Sequence, residues 1–165
     1  EGPDMLWVNA HTALVANNRR STPSFFTQFH RQFPDVSLVE IPLPEHSQHL
    51  LGILNFLSPD HVAIWEDRFP AEKVSRLRDI GLRVTSLNCH SELQEQRALN
   101  WVCVGPDEVV FPDDAPETQA SLNALGVRTH LASISEYRKC GGGMGCATGI
   151  LHRSSEKFDA DKNVR

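Results

Sequence analysis

The chain has 165 residues, of which 40% are hydrophobic and 22% charged, and a formal net charge of −5. That is ordinary globular composition, with enough residues for one domain with a real core. The acidic balance without a Lys/Arg cluster excludes a general nucleic-acid role, and no apolar run approaches the roughly 20 residues needed to span a bilayer.

In chain order, "EGPD" leads into a short strand pattern, "MLWV", and then a second, "TALVA" (Thr12–Ala16), followed by the loop "NNRRST". "PSFFTQFHRQF" reads as a helix with Thr22 as N-cap and Pro23 at its first position, and "VSLVEIP" as the strand after it. "LLGILNFL" and "HVAIW" (His61–Trp65) open a second set. Its helix runs out through "LRDIGLRVTSL", with Gly81 placed where a helix ends in the left-handed conformation. "EVVFP" (Glu108–Pro112) and "LNALGVRTHLA", with Gly126, form a third set. These runs recur at about 47 residues, a period that marks an array of like units. Each unit is strand, strand, helix, strand, so the fold class is α/β. An open α/β sheet whose units look alike by chance is the other architecture that fits. Residues 1–151 form one domain in this reading, and 152–165, "HRSSEKFDADKNVR" without its hydrophobic lead, a polar tail expected to fray.

The stretch "YRKCGGGMGCATGIL" holds the sharpest chemical signal. Each glycine costs about 0.5–1 kcal/mol relative to alanine in a regular element, so a cluster belongs where backbone passes very close to something or adopts positive φ. Cys146 at its end is the candidate nucleophile, because thiolates need nearby N–H donors or positive charge. A buried structural cysteine is the alternative. A phosphate loop fits poorly: G-x-G-x-x-G would need glycine at position 146. Four cysteines without a C-x-x-C pair are too sparse for a disulfide scaffold, which favours a reducing, cytoplasmic setting.

A cysteine nucleophile needs an acid/base partner, and histidine titrates in the right range. His49 stands at the entry to a strand of the second unit, where a side chain can project from a sheet end. His90 lies in the polar connection "NCHSELQEQ". His11, His30, His61, His130 and His152 read as surface or turn residues. Glu1 and Asp4 stand just ahead of the first strand, and Arg19 and Arg20 offer guanidinium forks suited to a carboxylate.

Together these segments resemble the guanidine-modifying, or pentein, superfamily of arginine deiminases, dimethylarginine dimethylaminohydrolases and amidinotransferases. "ISEYRKCGGGMGCATGIL" is similar to the family ending that carries the nucleophilic cysteine, which points to Cys146. "QHLLGILNFLSPDHVAIW" is similar to the stretch with the catalytic histidine, which selects His49. "EGPDMLWV" resembles the segment whose first acid contacts the substrate guanidinium, here Glu1, and "VANNRRST" the loop that grips the substrate carboxylate, here Arg20. The resemblance covers nearly all of 1–151. It implies a pentein-type α/β propeller of ββαβ units, about three of five being present, and a small guanidino substrate handled without metal or cofactor. Three positions depart from the pattern: Pro3 replaces a glycine, Leu51 an aspartate found in some deiminases, and Gly145 a histidine or arginine. The family's second guanidinium-clamping aspartate has no match. The expectation is therefore the C-terminal part of a longer protein, or a truncated relative that folds with a partner such as another copy. Cysteine-dependent hydrolysis is the favoured activity, with amidino transfer or a non-catalytic binding role as alternatives.

Overall fold

A computed structural model of the chain describes residues 2–18 and 21–150. Within them the predicted repeat is present as three successive ββαβ units. Strands β1 (Met5–Asn9), β2 (Thr12–Asn17) and β3 (Ser37–Pro42), with helix α1 (Pro23–Gln32), make the first. Strands β4 (Leu54–Ser58), β5 (His61–Trp65) and β6 (Arg83–Leu87), with α2 (Ala71–Asp79), make the second. After the short helix α3 (His90–Glu95), strands β7 (Val102–Gly105), β8 (Glu108–Pro112) and β9 (Arg128–Ala132), with α4 (Pro116–Ala124), make the third. Helix α5 (Ser135–Arg138) and the glycine loop follow. In each unit a tight hairpin pairs the first two strands antiparallel, and the helical crossover returns the third parallel to the second.

The continuous apolar run of β5 has a simple cause. Val62 and Ile64 pack into a core shared with Leu14, Val39 and Ile41 of the first unit. Ala63 and Trp65 face the other way, into a core with Trp101, Val109 and Phe111 of the third. Covered on both faces, this strand has no solvent side to alternate with. The units therefore stack as blades, and no single unit buries its own apolar surface. Gly81 and Gly126 take left-handed φ values of 88° and 83° after their helices, as their positions predict.

Thr22 is the N-cap residue of α1 with Pro23 at its start, as predicted, although its hydroxyl makes no capping bond and meets Ser24 Oγ at 2.8 Å. One local expectation is corrected. His61 is not a surface residue. It is 6% exposed, and its Nε2 lies 2.8 Å from Thr85 Oγ1 on the parallel neighbour strand. Burial, with the nearby Arg83 charge second, pushes its pKa below the ordinary histidine value. Among the described residues no helix is long and apolar enough to cross a membrane.

Candidate functional site

One turn of 3-10 helix, Gly2–Asp4, delivers Asp4 to the entry of β1, where it is wholly buried. A buried carboxylate must be met by donors, and Asp4 is. Its Oδ1 accepts from Leu50 N–H at 3.3 Å and Asn18 Nδ2 at 3.3 Å, and its Oδ2 from Ser21 Oγ at 3.2 Å. His49 Nδ1 lies 3.2 Å from the same Oδ1. An ionised carboxylate only accepts, so this contact puts a proton on Nδ1. His49 has extended backbone just ahead of the 3-10 turn Leu50–Gly52 that leads into β4, as its place at a strand entry predicts.

Cys146 lies in a 3-10 turn, Gly145–Ala147, at the end of the glycine loop. Its Sγ accepts a hydrogen bond from Asn100 Nδ2 at 3.1 Å, and Gly145 N–H donates to the Asn100 carbonyl at 3.0 Å. The glycines are explained by that neighbour. A Cβ at Gly143 would stand 2.7 Å from Asn100 Cγ, and one at Gly145 2.7 Å from its Oδ1 and 2.8 Å from Leu51 Cδ2. A Cβ at Gly142 would strike the Tyr137 ring, and Gly141 has a left-handed φ of 83°. Three of the four thus serve close approach to protein side chains.

His49 and Cys146 line one cavity of about 170 Å³, whereas His90 is absent from its lining and sits beside Asp67 at 3.5 Å on the surface. Asn100, Trp65, Arg68 and Arg97 line it as well, as does a second histidine, His46, whose backbone has a left-handed φ of 68°. The Arg68 guanidinium stacks 4.7 Å over the Trp65 ring, and Trp65 Nε1 is buried with no partner among the described residues. Arg97 holds a left-handed φ of 51°, and its carbonyl accepts from Asn100 N–H at 2.9 Å, so the backbone bend here seats Asn100. Among the described residues no three His, Cys, Asp or Glu side chains gather as a metal site. Glu1, Arg19 and Arg20 lie outside the described residues, as does the 152–165 tail.

Sequence reading did not single out Asn100, and noticed Asp4 only as a neighbour of Glu1. A signal for Asn100 was present. "LNF" at Leu54–Phe56 recurs as "LNW" at Leu99–Trp101, and the two aromatic positions stand 45 residues apart. An asparagine repeated at the threshold of two strands is a poor strand former kept for its amide.

No profile of a protein family matches the chain, and no curated protein matches it significantly. Solved structures do. An amidinotransferase of the saxitoxin pathway from Microseira wollei superposes with a TM-score of 0.82 at 15% identity, over 95% of this chain and 48% of its own. The inosamine-phosphate amidinotransferase of Streptomyces griseus gives 0.75 at 17%, over 93% and 47%. A DDAH from Pseudomonas aeruginosa in complex with citrulline gives 0.65 at 21%, over 86% and 51%. The chain thus spans about half the length of these three structures. Its fold is that of a pentein-type α/β propeller, with about three ββαβ units present.

Proposed function

We propose that the chain carries the cysteine–histidine machinery of an enzyme that hydrolyses a free, arginine-like guanidino compound. The observation that supports this best is the meeting of His49, backed by Asp4, and Cys146, backed by Asn100, on one cavity although they are far apart in the chain. A guanidinium resists attack because resonance spreads its charge over three nitrogens. Carboxylate contacts, with Glu1 in the role the resemblance implies, hold it planar and cationic beside the thiolate. The Cys146 sulfur forms a bond to the central carbon. The C–N bond to the leaving nitrogen breaks, and that nitrogen takes a proton from His49, leaving a thiouronium on sulfur. His49 then takes a proton from water, the hydroxyl adds to the carbon, and the C–S bond breaks as that hydroxyl gives its proton to solvent, leaving a ureido product and the thiolate. With Nδ1 donating to Asp4, Nε2 is the nitrogen that carries these protons. Arg20 takes the substrate carboxylate in the resemblance; Arg68 and Arg97 on the cavity wall are further cations of the right chemistry.

Amidino transfer is the second reading, favoured by the higher TM-scores and fuller coverage against the two amidinotransferases. In it an amine replaces the water in the second half-reaction. The experiment is covalent labelling by 2-chloroacetamidine, with L-arginine as competitor and Cys146→Ser as control. One saturable adduct, protected by arginine and lost in the variant, is expected; absence of saturable labelling overturns both enzyme readings. Products then divide them: a ureido compound in water alone, or a new guanidino compound only when an amine is added.

A further inference from the structure

Asp4, Asn55 and Asn100 repeat one device. Each stands at the threshold of a unit's first strand and makes a hydrogen bond to a group 46 residues further along. Asn55 shows the device in its structural form. Its Nδ2 donates to the carbonyls of Leu99 and Trp101, both at 2.9 Å, and its Oδ1 accepts Phe56 N–H at 2.8 Å. Every polar atom of that buried amide is used.

Asn100 departs from that pattern at the atom that matters. Its Nδ2 is aimed at Cys146 Sγ rather than at a carbonyl, and its Oδ1 is buried with no partner among the described residues. Buried amides kept only for structure are satisfied, as Asn55 is. The side chain is also held on two sides. Gly143 and Gly145 approach it too closely to admit a Cβ, and its own N–H and C=O are tied to Arg97 O at 2.9 Å and Gly145 N at 3.0 Å.

We propose that Asn100 is the positioning residue of Cys146: its amide N–H aims the sulfur into the cavity and favours the thiolate, while the glycine loop locks the amide plane. This rests on the reading of Cys146 as a nucleophile. An N–H donor stabilises the charged sulfur more than the neutral thiol, and the proton lost on ionisation goes to solvent. Gly143 and Gly145 are then a support for an asparagine, and through it for the cysteine.

The test follows alkylation of Cys146 by iodoacetamide against pH, with peptide mapping to separate it from Cys89, Cys103 and Cys140. Asn100→Asp keeps the shape but replaces the donor by an acceptor; Asn100→Ala removes the group. Slowing at neutral pH by about tenfold is expected for Asn100→Asp, with the rate curve displaced to higher pH, and a smaller displacement for Asn100→Ala. Asn55→Asp serves as the structural control and is expected to lower the melting temperature while leaving the Cys146 curve in place. Unchanged curves in folded Asn100→Asp or Asn100→Ala protein overturn the proposal, as does an equal displacement in Asn55→Asp. If Asn100→Asp does not fold, Asn100→Ala alone decides by the same criterion. Alkylation needs no guanidino substrate. A displaced curve without saturable chloroacetamidine labelling therefore sinks the guanidino reading and leaves the role of Asn100 intact.

Discussion

At the hairpin ends of the second and third sheets, Asp60 pairs with Arg83 at 3.1 Å, and Glu108 meets His130 at 2.6 Å and Arg128 at 3.4 Å. At the opposite ends, Asp4 meets His49, Asn55 holds the backbone at Leu99 and Trp101, and Asn100 holds Cys146. The hairpin-end contacts are solvent-facing, link strands of one unit, and span 20–23 residues. The contacts at the other ends are buried or partly so and span 44–46 residues, from one unit to the next or, for Asn100, to the glycine loop after the third unit. Exposed ion pairs gain little because water and salt screen them, whereas a buried polar group left without its partner carries its full desolvation cost. The hairpin ends thus trim each blade, and the other ends bind the blades together. The candidate site lies at these junctions, where a side chain can only be placed by a neighbouring unit.

The comparison is broken most severely at Asp4. Asp4→Asn removes the carboxylate behind His49, and the rate of arginine-protected chloroacetamidine labelling or of turnover is expected to fall by about 100-fold. A rate near that of the parent protein would detach His49 from the proposed chemistry. Next comes Asn55→Ala, which strips two carbonyls of their donor in a buried junction. It is expected to cost about 2–3 kcal/mol in denaturant unfolding, with no change in the cavity's labelling chemistry. Gly143→Ala forces a Cβ against Asn100 and is expected to cost about 1–3 kcal/mol while also slowing Cys146 alkylation. A melt like that of the parent would show that the loop can give.

Smaller effects are expected at the hairpin ends. The lowered pKa of His61 means that the unfolded chain binds its proton first as pH falls. Stability therefore drops below about pH 6.5 and stops dropping once the folded-state group has titrated too. In His61→Gln that part of the pH dependence of the melt is expected to vanish; a slope unchanged from the parent would contradict it. Smallest is Arg83→Ala. The hydrogen bond from Arg83 holds Asp60 down from 3.8 to about 2, so its contribution is present above about pH 4 and is lost as pH falls through about 2. Both groups are well exposed, so the neutral-pH melt of Arg83→Ala is expected to stay within the scatter of repeats. A clear fall that persists in high salt would mean the two ends differ less than described.

Some of the site was legible and some was not, for definite reasons. Cys146 was marked by the glycines around it, and His49 by its position at a strand entry, both features of neighbouring residues in the chain. That the glycines serve close approach was legible, but a sequence does not say what a bare backbone approaches: it is Asn100, Tyr137 and Leu51. His61 looked like a turn residue because it follows "SPD", yet the sheets on either side of β5 bury its first residue as well.

What the sequence by itself determined is the repeat: two strands, a helix, a strand, the left-handed glycines after two of the helices, and the α/β class. Those signals are local, carried by alternation, by helical periodicity and by residues with restricted backbone. Only the tertiary structure decided that Asp4 faces His49, that Asn100 faces Cys146, and that His49, Asn100 and Cys146 share a cavity. Partners 45 and 46 residues apart leave no mark in any local window, because only the stacking of one blade on the next, and of the glycine loop on the third, brings them together.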